Sequence, residues 1–270
     1  MSGGSDAACI SLQQQELPET RFQSGARVRP EARAEYLPCR RRLHSDTQER
    51  LFHLRTSIAI ANGCIRDAAD FNWIHQNNDT FSASLAELAK AKYTFTILRC
   101  PYSRLVSVYL DKIVNRNVVA WRYVDLHRRT IDIEDVSFEF FVRSLCRERI
   151  RNADIHWRPQ THFLVYEKYD DYFAFENFPQ LAAALKSTID LELVDARPLT
   201  EHGTGGYKAL SRREPFRLAP FELLGAKNQG RLPTPKSMYN EELVACVKRA
   251  YKSDLALYKR LFGAGNLLFN

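Results

Sequence analysis

Arg99, Pro101 and Ser107 are the residues whose types and spacing most clearly suggest chemistry. Arg99 carries a planar fork of N–H donors that suits phosphate. Pro101 has its φ preset and lacks an N–H, which suits the first turn of a helix. A helix that starts there directs unpaired N–H groups and the positive end of its dipole at whatever lies before it. Ser107 adds a hydroxyl donor. Together these residues describe an anion site. An ordinary strand–turn–helix with a surface ion pair at Arg99 explains the same residues, and physics alone leaves the two level.

The flanking elements must position them. Residues 93–98 (Tyr-Thr-Phe-Thr-Ile-Leu) have the aromatic and β-branched content of a buried strand. After Pro101, apolar residues fall at Tyr102, Leu105, Val106, Tyr109, Leu110 and Ile113, which is helical spacing. Ser103, Arg104, Ser107 and Asp111 are left on the other face. Strand and helix patterns then alternate along the chain, as in an α/β fold. The spacing predicts a first strand over 50–56, a loop over 57–64, a helix over 135–146, a strand over 163–169 and a helix over 178–188. Residues 215–235 are proline-spaced and read as irregular. Residues 239–262 read as one closing helix.

The chain has 270 residues, a 45% hydrophobic share and a net charge of +7. That permits one large domain with a sizeable core. Residues 1–49 show little periodicity and read as an extended or poorly ordered lead-in to a domain over 50–270. No apolar run reaches the ~18 residues of a membrane span. Residues 1–10 lack a basic start and an apolar centre, so they do not read as a secretory signal. The six cysteines form no C-x-x-C pair and read as free thiols. No His/Cys cluster has metal-ligand spacing, so no metal is expected. Between Glu201 and Arg260, twelve Lys or Arg stand against six Asp or Glu. Such a bias attracts polyanions. Nucleic acid would rest on charge alone and is not the partner favoured.

Residues 99–112, Arg-Cys-Pro-Tyr-Ser-Arg-Leu-Val-Ser-Val-Tyr-Leu-Asp-Lys, resemble the 3′-phosphate motif of the carbohydrate sulfotransferases. The nearest group is the chondroitin/dermatan type and its bacterial relatives. Their pattern is Arg-x-Pro-[Phe/Tyr]-x-Arg-Leu-x-Ser-x-Tyr-x-Asp-Lys. A second signature, Asp-x-His-Trp-x-Pro-Gln, stands here as Asp154-Ile-His156-Trp157-Arg-Pro159-Gln160. Residues 170–178 resemble the family's Asp-Phe-x-x-[Lys/Arg]-x-Glu-Asn-Phe, and residues 201–208 its His-x-Asn-x-Thr-Gly loop.

The resemblance implies a P-loop-like three-layer fold with a central parallel sheet flanked by helices. It implies a donor, 3′-phosphoadenosine-5′-phosphosulfate (PAPS), with Arg99 and Ser107 on its 3′-phosphate. The family's 5′-phosphosulfate loop, strand–Pro-Lys-x-x-x-[Ser/Thr]-x-x–helix, falls where Asn62, Gly63 and Cys64 lie over its end. Its lysine position falls near Ala59, and no lysine lies between Arg50 and Lys90. Arg55 or Arg66 stands in for that charge, with a different shape. The glycine-rich 201–208 loop allows close backbone approach, with Lys208, Arg212 or Arg213 helping to cap the nucleotide. His156, or His75 on the segment between the phosphate motifs, is the expected base, since imidazole titrates in the useful range. Residues 115–129, basic and aromatic, fit an acceptor groove and equally a surface loop.

The function implied is sulfuryl transfer to a hydroxyl of a saccharide. The alternative is a weakened relative that only holds nucleotide or anionic polysaccharide, because the loop lysine is missing. The animal relatives are Golgi membrane proteins. With no such anchor in the sequence, a bacterial cytoplasmic enzyme is expected, or a Golgi-lumen one if the chain is trimmed from a longer protein.

Overall fold

A computed structural model describes residues 56–60, 88–194 and 206–270. In chain order its elements are β1 (Phe95–Leu98), α1 (Pro101–Val108), α2 (Val118–Leu126), α3 (Phe138–Ser144) and α4 (Glu148–Arg151). Then come β2 (Asp171–Ala174), α5 (Phe178–Ile189), β3 (Lys208–Ala209), α6 (Pro220–Asn228), β4 (Arg231–Leu232), α7 (Glu241–Ala250) and α8 (Lys252–Phe262). A π turn over Tyr109–Val114 prolongs α1. The mixture of helices and small parallel sheets is α/β. The chain divides into two compact units, one from Met1–Leu98 and Leu164–Glu201, the other from Arg99–Phe163 and His202–Asn270.

In the first unit, β1 and β2 pair in parallel from Phe95↔Asp171 to Leu98↔Ala174. Asp170 fixes the register from below. Its Oδ2 accepts from both the N–H and the hydroxyl of Thr94, each at 2.7 Å. The Tyr93 hydroxyl donates to Asp171 at 2.7 Å. Burial, then that carboxylate, pushes the Tyr93 pKa well up. Helix α5 covers the pair through Leu181 and Leu185, which pack with Phe173 and Leu191.

Two expectations shift here. The strand expected over 163–169 is absent; residues Gln160–Phe163 form a 3-10 turn and the strand begins at Asp171. The reason lies in Tyr169, whose hydroxyl accepts from the Val165 N–H at 2.9 Å and occupies a donor that a ladder would need. Residues 56–60 are helical rather than the end of a strand and the start of a loop. The strand expected over 50–55 lies outside the described residues.

The second unit is built on aromatic rings. Trp157 meets Tyr123 and Phe141 edge-on, both at 5.7 Å. Tyr239 meets Tyr102 at 5.5 Å and Phe138 at 5.2 Å in the same way. Such pairs add to area burial because ring edges and faces carry opposite charge. Four of the buried donors bond to backbone carbonyls: Tyr109 to Val136 O, Tyr239 to Tyr102 O, Tyr251 to Trp157 O and Trp157 Nε1 to Ile150 O. Asn117, Ser137 and Asn240 cap α2, α3 and α7 by accepting backbone N–H bonds.

Three more expectations change in this unit. Residues 215–235 contain α6, because Pro220 sits at its first turn and Glu222 accepts from the Ala219 N–H at 3.0 Å. The closing helix is two helices, broken at Tyr251, whose backbone leaves the helical region at φ −118° and ψ 31°. The helix α2 lies inside the stretch read as an acceptor groove; Tyr123 and His127 are buried, while Trp121 and Arg122 stay exposed.

Candidate active site

Arg99 and Ser107 line one cavity of ≈ 230 Å³, wholly within the second unit. Ser103, Val106, Ser107 and Leu110 form a single stripe of α1 and its π turn facing it, as spacings of three and four residues require. The opposite wall comes from Tyr207, Ala209 and residues 232–235 (Leu-Pro-Thr-Pro). The parallel pairing of Lys208 with Arg231 and Ala209 with Leu232 holds that wall together. One side therefore offers a guanidinium and two hydroxyls. The other offers a phenol ring, a threonine and apolar side chains. That combination suits a flat ring bearing an anionic group. Lys208 does not line the cavity, since side chains on a strand alternate and Tyr207 and Ala209 face inward. Ser103, Tyr207 and Thr234 were not singled out from the sequence; their only early signal was the spacing of Ser103 from Ser107.

Gln160 fixes the backbone at Arg99. Its amide accepts from the Arg99 N–H at 2.9 Å and donates to the Arg99 carbonyl at 2.8 Å. Asp254 on α8 holds Gln160 in turn. Its Oδ2 accepts from the Gln160 N–H at 2.7 Å, and its Oδ1 from the Thr161 N–H at 3.0 Å and hydroxyl at 2.8 Å. Arg104 completes this group. It is buried rather than on the exposed face expected of it, with side-chain exposures of 1% for Arg104 and 0% for Asp254 across a 4.0 Å approach. Burial is tolerable because Arg104 also donates to the carbonyls of His156 at 2.9 Å and Ile155 at 3.3 Å. The Asp154–Gln160 signature is thus tied at its middle by Arg104 and at its end by Asp254.

His156 is mostly buried, and its Nδ1 lies 2.5 Å from Asp154 Oδ1. Nδ1–H donates to that carboxylate, so in the neutral ring Nε2 carries the lone pair. This is the tautomer of a general base. His156 does not line the Arg99 cavity. His75, Arg55, Asn62, Gly63 and Cys64 lie outside the described residues. Among the described residues, no group of three or more His, Cys, Asp or Glu is placed to hold a metal. No described helix is long and apolar enough to cross a membrane.

Burial by itself would raise the Asp154 pKa. The hydrogen bonds and charge of His156, with the charge of Arg122, outweigh it and hold the group below its ordinary value. A carboxyl with a depressed folded pKa adds stability above its unfolded pKa and loses it as pH falls through the folded one. Asp154→Asn is therefore expected to unfold more readily than the parent above about pH 4, the usual carboxyl range. The two denaturation midpoints should converge as pH drops below that range. A gap that persisted unchanged in acid would remove the Asp154–His156 pair from the account.

The sequence matches the profile of the sulfotransferase family over residues 48–259, most of the chain. The chain belongs to that family, and its chemistry is sulfuryl transfer. No curated protein and no solved structure matches it.

Proposed function

We propose that the protein moves a sulfuryl group from PAPS to a hydroxyl of a saccharide, within a P-loop-like sulfotransferase fold built on a central parallel sheet. The carrying observation is the shared cavity of Arg99, Ser103 and Ser107. Arg99 and Ser107 bind the 3′-phosphate, Ser103 adds a donor, and Tyr207 with the proline wall receives the flat base. The lead-in to α1 contributes its N-terminal N–H groups. His156 takes the acceptor hydroxyl's proton at Nε2 as the oxygen attacks sulfur, and Asp154 steadies the imidazolium that forms. By resemblance to the family, the 5′ end of the donor falls to Asn62, Gly63 and Cys64, with Arg55 for charge.

A weaker binder of nucleotide or anionic polysaccharide is the second reading. It is favoured by one feature, the absence of lysine between Arg50 and Lys90. Activity gained by Ala59→Lys over an inactive parent would decide for it.

The direct test is calorimetric titration with adenosine-3′,5′-bisphosphate, without metal. The parent is expected to bind in the micromolar range. Arg99→Ala should weaken binding by roughly 10- to 100-fold, since a hydrogen bond to a charged group contributes about 1.5–3 kcal/mol. A folded parent that does not bind would overturn the enzyme reading.

A further inference from the structure

Two cysteines a hundred positions apart meet where the chain leaves α3 and where α7 nears its end. The Cys146 thiol donates to the Cys246 carbonyl at 3.9 Å. Arg249, one turn further along α7, donates to the Cys246 sulfur at 3.6 Å. Cys246 is 6% exposed, whereas Cys146 is open to solvent. Both are free thiols. The arrangement is an accessible thiol, a covered thiol and a guanidinium that favours thiolate beside them. Nothing in the sulfuryl-transfer site uses any of the three.

We propose that Cys146 and Cys246 are a reversible redox pair, closed to an intramolecular disulfide by a low-molecular-weight disulfide such as oxidised glutathione. Cys146 gives its proton to solvent, and its thiolate attacks one sulfur of the small disulfide. That S–S bond breaks, and the departing thiolate takes up a proton. Cys246 then loses its proton and attacks the Cys146 sulfur, releasing the second small thiol. Two protein thiols are oxidised to one disulfide, and one small disulfide is reduced to two thiols.

The order follows from access. Cys146 meets the oxidant first, and Cys246 resolves the mixed disulfide. Burial, then the neighbouring Cys146 thiol, pushes the Cys246 thiol up, against the opposing pull of Arg249. The resolving step needs the Cys246 thiolate and therefore quickens as pH rises. Closure links the chain beyond α3 to α7, spanning a loop of about 100 residues and removing much of the unfolded chain's freedom. It also anchors α7 just before the Tyr251 break, next to the helix that carries Asp254.

The full chain is incubated with oxidised glutathione, quenched by alkylation and mapped by mass spectrometry. The expected product is a Cys146–Cys246 cross-linked peptide, reversed by dithiothreitol. A glutathione adduct at Cys146 should precede it and be shorter-lived at about pH 9 than at about pH 7. The oxidised parent should melt several degrees above the reduced one, and Cys146→Ser, an exposed change, should abolish the shift. A lasting adduct at Cys146 with Cys246 still alkylated would overturn the proposal. So would a disulfide joining other cysteines.

Discussion

Asp254→Ala is expected to cost about 3–5 kcal/mol of stability, the toll of leaving one partner of a buried ion pair alone. The carboxylate accepts from the Gln160 N–H, the Thr161 N–H and the Thr161 hydroxyl, and faces the buried Arg104. Alanine strands all of these at once, in a place water does not reach. Denaturant unfolding of the full chain measures the loss. Asp254→Asn should fall between, because it keeps an oxygen for Thr161 but sets an amide against the Gln160 N–H. Adding Arg104→Met to Asp254→Ala should recover part of the loss, since no charge is then left unpaired. Gln160 also holds the Arg99 backbone, so the folded fraction of Asp254→Ala should bind adenosine-3′,5′-bisphosphate more weakly. A loss below about 1 kcal/mol would mean that Arg104 and Asp254 are not coupled as the 4.0 Å approach indicates.

That group shows where sequence reasoning reached and where it stopped. The helix after Pro101 was readable because its period is local: each apolar residue announces the next within four positions. The strand at Phe95–Leu98 was readable for the same reason. Arg104 was not. Read alone, an arginine on a helix faces water; its burial depends on two carbonyls some 50 positions later and a carboxylate 150 positions later. The far wall of the cavity was equally hidden. Tyr207 and Thr234 are brought together by a parallel pair of two residues each, too short to leave a pattern. The break at Tyr251 was masked because apolar spacing runs through it unchanged; the hydroxyl bond to Trp157 O marks it, and that bond is tertiary. His156 was visible as a type and a motif, but its Asp154 partner two residues earlier had to be seen to give its tautomer.

His156→Ala is expected to lower kcat for sulfuryl transfer by roughly 10²–10⁴-fold, the usual contribution of a positioned proton acceptor. Binding of adenosine-3′,5′-bisphosphate should change little. His156 does not line the Arg99 cavity, and its own contribution to Arg104 is a backbone carbonyl, which alanine keeps. This split separates a base from a packing residue, because a collapsed loop would release Gln160 and weaken nucleotide binding too. Asp154→Asn gives the companion measurement. It replaces the carboxylate facing the Nδ1 proton with a neutral amide, so it should lower kcat less than His156→Ala and shift the pH profile. The assay is release of adenosine-3′,5′-bisphosphate from PAPS with a panel of saccharides. His75→Ala serves as the counterweight. If it abolished turnover while His156→Ala left it intact, the base would lie on the segment between the phosphate motifs. The Asp154–His156 pair would then be only a fastening for the loop that clamps Arg99.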